Sequence, residues 1–135
     1  MLSDKKIYIN ELLTMKTIHI SDNQKLKEVK EAFSAVYPHL KLEFFSEDHK
    51  TGEASARKAM YDDSLCLKDI RKKHNAGDLS VDGHQKTSTF ERNFHDHFGL
   101  SVQVFRRSGN IWLQTTTTDD WTLAHQEETG KEFDK

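Results

Sequence analysis

One cysteine and one proline among 135 residues leave this chain to be held by packing rather than by covalent or conformational constraints. The lone Cys66 excludes an internal disulfide framework and suits a reducing compartment, so the expected setting is the cytoplasm. Long apolar runs are missing as well: nothing approaches the ~20 consecutive apolar residues of a membrane helix. The opening Met1-Leu2-Ser3-Asp4-Lys5-Lys6 lacks the apolar core of a secretory signal. Charge of one sign is also lacking, because 20 Lys and Arg stand against 22 Asp and Glu, a formal net charge of −2. A chain so balanced has no broad field to gather a polyanion. There is no glycine-rich phosphate loop and no Gly-x-Ser-x-Gly turn, which removes two common enzyme signatures.

What the chain does have is a faint internal echo. Displacing residues 17–45 by 61 positions sets Ile18 on Leu79, Ile20 on Val81, Val29 on Phe90, Phe33 on Phe94 and Tyr37 on Phe98. After a one-residue slip at the turn, Leu40 falls on Leu100, Leu42 on Val102, Phe44 on Val104 and Phe45 on Phe105. Each copy reads strand, helix, strand, which restricts the architectures open to the chain without naming an activity.

In the first copy, residues 15–20 alternate and are rich in β-branched side chains, a strand signal; Ile7 and Ile9 suggest a short extra strand over 5–9. Ser21 to Gln24 reads as a capping box for a helix whose buried stripe is Leu26, Val29, Phe33 and Val36 or Tyr37, stopped by Pro38. Residues 40–45 alternate again, with Lys41, Glu43 and Phe45 on the face opposite Leu40, Leu42 and Phe44. Residues 46–64 read as a mobile loop with a helical turn over 54–61, and Leu65, Leu67 and Ile70 as a short helix running to about Lys73. In the second copy, Leu79-Ser80-Val81 is a brief strand. Ser88 and Glu91 form a capping box, Phe90, Phe94 and Phe98 a buried stripe, and Gly99 a C-cap. Residues 100–106 and 110–116 then alternate about a Ser108-Gly109 hairpin turn. A last helix follows from Trp121 to about Glu128, capped by Thr118, Asp119 or Asp120 and ended by Gly130, with a frayed tail over 131–135.

These elements predict a single α+β domain over 1–135, residues 1–14 forming an N-terminal extension. The expected fold is a ferredoxin-like two-layer sandwich from two βαβ units. Both main helices lie on one side of a four-stranded sheet, which the hairpin strand extends and a C-terminal helix follows. A doubly wound parallel sheet is disfavoured, because its strands would be continuous apolar runs rather than alternating ones.

Alternation also sorts the strand side chains. If Ile18, Ile20, Leu42, Phe44, Leu79, Val81, Val102, Val104, Ile111 and Leu113 face the helices, the other face carries His19, Glu43, Phe45, Ser80, Gln103, Phe105, Arg107, Trp112 and Gln114. In the hairpin, Phe105 is expected opposite Trp112 and Gln103 opposite Gln114. Aromatic rings among amides and ionisable groups resemble a recognition surface. Two coverings compete with an open platform: the last helix, folding Trp121 and Leu123 over it, or a second copy of the chain.

Eight histidines raise the question of metal. His95 and His97 point to opposite sides of a helix, whereas Glu91 and His95 share a face and read as a solvated pair. His74, Asp78, Asp82 and His84 cluster in a loop-rich stretch without a recognised ligand spacing. Cys66 lies on an apolar helix stripe, where a thiol packs. The loop residues Glu47, His49, Lys50, Glu53, Arg57 and Lys58 are read as solvated. The basic cluster Lys68, Arg71, Lys72 and Lys73 lies on a different element from the aromatic face.

The run from Phe98 to Asn110, followed by Trp112-Leu113 and by Asp120-Trp121-Thr122-Leu123, resembles segments of small uncharacterised bacterial proteins. That resemblance covers the last third of the chain and implies a bacterial cytosolic origin; no residue role comes with it. The reading as a whole is a non-catalytic binding or assembly module without a cofactor. It recognises a protein partner, a second copy of itself or a small ligand through the aromatic and polar sheet face, away from membranes. The alternative is a small metal-dependent enzyme using the 74–84 loop, and third a single-stranded nucleic-acid binder stacking bases on Phe45, Phe105 and Trp112.

Overall fold

Strand β1 (Thr17–Ile20) buries Ile18 and Ile20 and turns Thr17 and His19 outward, as alternation demands. The computed structural model describes residues 16–46 and 60–133. Helix α1 (Leu26–Val36) buries Leu26, Val29 and Phe33 on one stripe and gives way to β2 (Leu40–Phe45) after Pro38. A short helix α2 (Leu67–Ile70) and strand β3 (Gly77–Ser80) lead to α3 (Thr87–Phe98), whose buried stripe is Thr87, Phe90, Phe94 and Phe98. Gly99 closes α3 at φ 64°, the left-handed conformation that glycine adopts without a Cβ penalty. Strands β4 (Ser101–Ser108) and β5 (Ile111–Gln114) form the hairpin, and after a 3₁₀ turn (Thr116–Thr118) helix α4 (Leu123–Glu132) ends the described chain.

The molecule is α+β with two antiparallel sheets: β1 pairs with β3, and β2–β4–β5 form the other. One apolar core runs through both, from Ile18, Ile20, Leu79 and Val81 to Leu42, Phe44 and Val104. Helices α1 and α3 meet at its centre, where Phe33 stacks on Phe90 with ring centroids 5.1 Å apart, and Phe94 meets Phe44 edge-on. Full burial of one such ring is worth about 1.5–3 kcal/mol.

The echo in the sequence is a relation in space. Ile18 pairs with Leu79, its own counterpart, and Glu43 pairs with Gln103, again its counterpart. A pairing in which equivalent residues face each other is what a twofold relation between two halves requires. The hydrogen bonds repeat too. Tyr61 donates its N–H to the Phe44 carbonyl at 2.9 Å, as Thr115 does to Val104 at 3.3 Å, and Phe44 and Val104 are counterparts.

The helix starts repeat it most fully. Leu26 and Lys27 donate their N–H groups to the carbonyls of Leu65 and Asp63, while Leu67 and Lys68 donate to Gln24 and Asp22. In the second half, Thr87 and Ser88 donate to Trp121 and Asp119, and Leu123 and Ala124 to Gln85 and Gly83. The orphan amides of each first turn are therefore taken by backbone from a facing helix start. This corrects the two expected capping boxes. Ser21 is not the cap of α1, whose N-cap is Lys25; Gln24 instead binds back to Ser21 N–H and the His19 carbonyl. Ser88 lies inside α3, and Glu91 reaches across to β4.

Four further expectations change. The ferredoxin-like order places all four main strands in one sheet, whereas here β1 with β3 and β2 with β4 lie in separate sheets. Alternation tells which side chains go inward but not which strand is the neighbour. Ile111 and Leu113 are exposed, because β5 is an edge strand that runs beyond the core. The end of the expected 46–64 loop is ordered: Met60 bridges Phe45, and Asp62 to Ser64 form the turn into α2. Gly130 does not end α4 but lies buried inside it, where the helix passes close to His39 and Arg106. The expected strand over 5–9, residues 1–14, the charged loop residues 47–58 and the last two tail residues lie outside the described residues. Among the described residues no helix is long and apolar enough to cross a membrane.

Candidate functional site

The odd positions of β2 and β4 share the face turned away from the core. The register is Lys41 with Phe105, Glu43 with Gln103, and Phe45 with Ser101. On the hairpin side, Arg107 is opposite Trp112, and Phe105 is opposite Gln114. The expected Phe105–Trp112 pair is therefore diagonal, two residues out of the assumed register; period-two alternation leaves both rings on one face all the same.

Lys41 links them. Its Nζ lies 5.4 Å from the Phe105 ring centre and 5.1 Å from that of Trp112, and the Arg107 guanidinium lies 5.3 Å from Trp112. These are cation–π distances, and they form a ladder of cation, ring and cation across three strands. Phe105, Trp112 and Gln103 are half-buried and Gln114 is exposed. Lys41 was overlooked as a site residue on the sequence, although it alternates with Glu43 and Phe45 and so belongs to their face.

Two members of the expected set are withdrawn from solvent. Phe45 is buried, with Met60 as its bridge partner. Glu43 is buried and neutralised, with Lys30 at 2.7 Å and Lys41 at 3.2 Å; Lys30 also holds Asp63 at 2.7 Å. Burial alone would lower the Lys30 pKa, but its bonds to Asp63 and Glu43 raise it above the ordinary value. The exposed part of the face is thus aromatic, amide and cationic.

The last helix does not cover this face. It packs on the other side of β4 with Arg106, whose guanidinium binds the buried Gln126 at 2.6 Å and lies 5.2 Å from the Trp121 ring centre. Gln126 in turn donates to the Thr118 carbonyl at 2.8 Å, tying α4 to the 3₁₀ turn.

His19 does not join the platform. It sits on the two-stranded sheet opposite Asp78, its Nδ1 3.2 Å from that carboxylate, and Ser80 is exposed on the same sheet. The four weak metal candidates separate in the same way. His74 binds Asp22 at 2.9 Å, Asp78 binds His19, and Asp82 binds His84 through its ring at 3.0 Å and its N–H at 2.9 Å. The backbone N–H of His84 holds the Asp82 carboxyl below the usual range. Among the described residues no group of three or more His, Cys, Asp or Glu could hold a metal ion.

Of the basic cluster, Arg71 is structural. Its buried guanidinium binds Asp22 Oδ1 at 2.8 and 3.0 Å, the Phe98 carbonyl at 3.0 Å and the Asn75 carbonyl at 2.8 Å. Two hollows of about 360 and 500 Å³ lie elsewhere, one beside Asn93 and His97 and one beside Tyr61 and Lys72. Neither is lined by a residue of the platform. No family model matches the chain, and neither a curated protein nor a solved structure is found similar to it, so the site stands on its own geometry.

Proposed function

We propose that the chain is a non-catalytic binding module that receives a protein partner, a second copy included, on the outer face of β2–β4–β5. The observation that carries this reading is the ladder of Lys41, Phe105, Trp112 and Arg107, half-buried rings bracketed by cations on a face that α4 leaves open. Aromatic residues and arginine are what binding hot spots are made of. Small ligands favour concave sites, and both hollows lie away from these residues, which favours a macromolecular surface over a small molecule.

Sedimentation of the purified chain and affinity capture from the native host test this, with Trp112→Ala and Gln114→Glu, at an exposed position of the same face, beside the natural sequence. The expected result is a self-association, or one stoichiometric partner, present for the natural chain and lost in both variants. Their circular-dichroism spectra and melting temperatures should stay unchanged. Unfolding by Trp112→Ala, or association that ignores both substitutions, overturns the reading.

A further inference from the structure

The two halves of the molecule solve one electrostatic problem differently. In the first half, Lys30 of α1 holds Glu43 of β2 and Asp63 of the turn before α2, each at 2.7 Å. The twofold relation places Glu91 of α3 where Lys30 stands, Gln103 where Glu43 stands and Asp119 where Asp63 stands. The backbone confirms the last equivalence, since Lys27 donates to the Asp63 carbonyl as Ser88 does to that of Asp119. The first trio carries one positive and two negative charges, net −1. The second carries Glu91, a neutral amide and Asp119, and reaches the same −1 only while Glu91 keeps its proton.

We propose that Glu91 is a proton-controlled latch: protonated, it lets the Asp119 turn rest against α3 and β4, and on ionising it loosens that turn and the start of α4. The carboxyl is well placed for this. Its Oε2 accepts the Val104 N–H at 2.8 Å, while Thr115, which begins the turn, donates its N–H and Oγ1 to the Val104 carbonyl. One strand residue is thereby bracketed by the latch and by what it holds. The groups around Glu91 offer it little cationic relief. Gln103 and Val104 of β4 are uncharged, and Glu43, across from Gln103, is already held by Lys30 and Lys41. On α3 itself Arg92 is exposed, and the His95 ring lies 3.2 Å from Asp96. The turn brings Asp119 and the exposed Asp120. Burial is the main reason the Glu91 pKa rises to about 7, opposed by the Val104 N–H and reinforced by Asp119.

Amide hydrogen exchange at pH 6 and pH 8, corrected for intrinsic rates, tests the latch within one molecule. Protection at Thr115, Leu123 and Ala124 is expected to fall about tenfold across that interval, one pKa unit of ionisation. The equivalent amides Tyr61, Leu67 and Lys68, beside Lys30, should hold steady. Glu91→Gln, whose amide oxygen still accepts the Val104 N–H, should abolish the difference. Equal changes in the two halves, or a difference that survives Glu91→Gln, overturns the proposal. Should Glu91→Gln not fold, Asp119→Asn decides it: the midpoint must move to lower pH, and an unmoved midpoint overturns the latch.

Discussion

Gln24 and Gln85 make one hydrogen bond twice. Each side-chain amide donates to the carbonyl of the residue five positions earlier, Gln24 to His19 at 2.8 Å and Gln85 to Ser80 at 2.9 Å. Each glutamine carbonyl then accepts the first amide of the facing helix, Leu67 or Leu123. Replacing either by Ala is expected to cost about 1 kcal/mol for this bond, and somewhat more at Gln24, whose Oε1 also accepts the Ser21 N–H at 2.8 Å. Urea titration of the two single variants checks this. A loss at one site with none at the other would break the equivalence of the halves.

Gly130→Ala sets two effects against each other. Alanine in a helix interior gains about 0.8–1.0 kcal/mol over glycine. Here the new Cβ would stand 2.9 Å from His39 Cβ, 3.1 Å from the His39 carbonyl and 3.2 Å from Arg106 Cγ. A backbone carbonyl cannot step aside, and overpacking costs about 1–3 kcal/mol. The variant is expected to melt lower than the parent; a higher Tm would mean that α4 shifts freely on β4.

Arg71 joins the turn of α1 to the end of α3, and truncating it strands its partners. Arg71→Ala leaves the Phe98 and Asn75 carbonyls without this donor and removes a fully buried side chain, while the Asp22 carboxylate keeps only His74. The variant is expected to be clearly less stable than the parent, a stranded buried carbonyl costing about 1–3 kcal/mol. Denaturant midpoints check this, and a midpoint within experimental error of the parent would show the guanidinium to be dispensable.

Three carboxyls predict the acid limb of stability. For Asp22 burial pushes the pKa up, but the bonds from His74 and Arg71 prevail and hold it low. Asp62 is lowered by the hydroxyl and N–H of Ser64, and Asp82 chiefly by the His84 N–H. A depressed folded pKa adds stability that is complete above the unfolded value of 3.8 and is lost as pH falls through the folded one. Acid unfolding followed by circular dichroism should therefore begin below about pH 4, and Asp82→Asn should make it shallower. Glu91 has the opposite sign: its contribution is complete below 4.5 and disappears as pH rises through about 7.

The sequence showed the inside of this molecule better than its wiring. The stripe Leu26, Val29 and Phe33, the strand 40–45 and the Gly99 cap stand where periodicity puts them, because burial selects side chains one by one; the hairpin is there too, but it turns at Gly109-Asn110 and not at the expected Ser108-Gly109. Strand order depends on which edges meet, and no local pattern encodes that. The echo held more information than a list of elements. The match of Glu43 to Gln103 is also their pairing, though seeing so requires the twofold relation. For the site, alternation kept Phe105, Trp112, Gln103 and Gln114 together. It could not show that Glu43 and Phe45 would be buried, since Lys30 and Met60 reach them from outside β2.

Two of the three strand pairings join one half of the chain to the other: β1 waits for β3, and β2 waits for β4. During synthesis the β1 edge must stay unsatisfied until about residue 80 has left the ribosome, and the β2 edge until about residue 108. Two nascent copies carry matching edges at that moment, so each first half can pair with that of a neighbouring chain. Slow translation between β2 and β4 should therefore favour tangled assemblies, and a chaperone that shields those edges should favour the monomeric route.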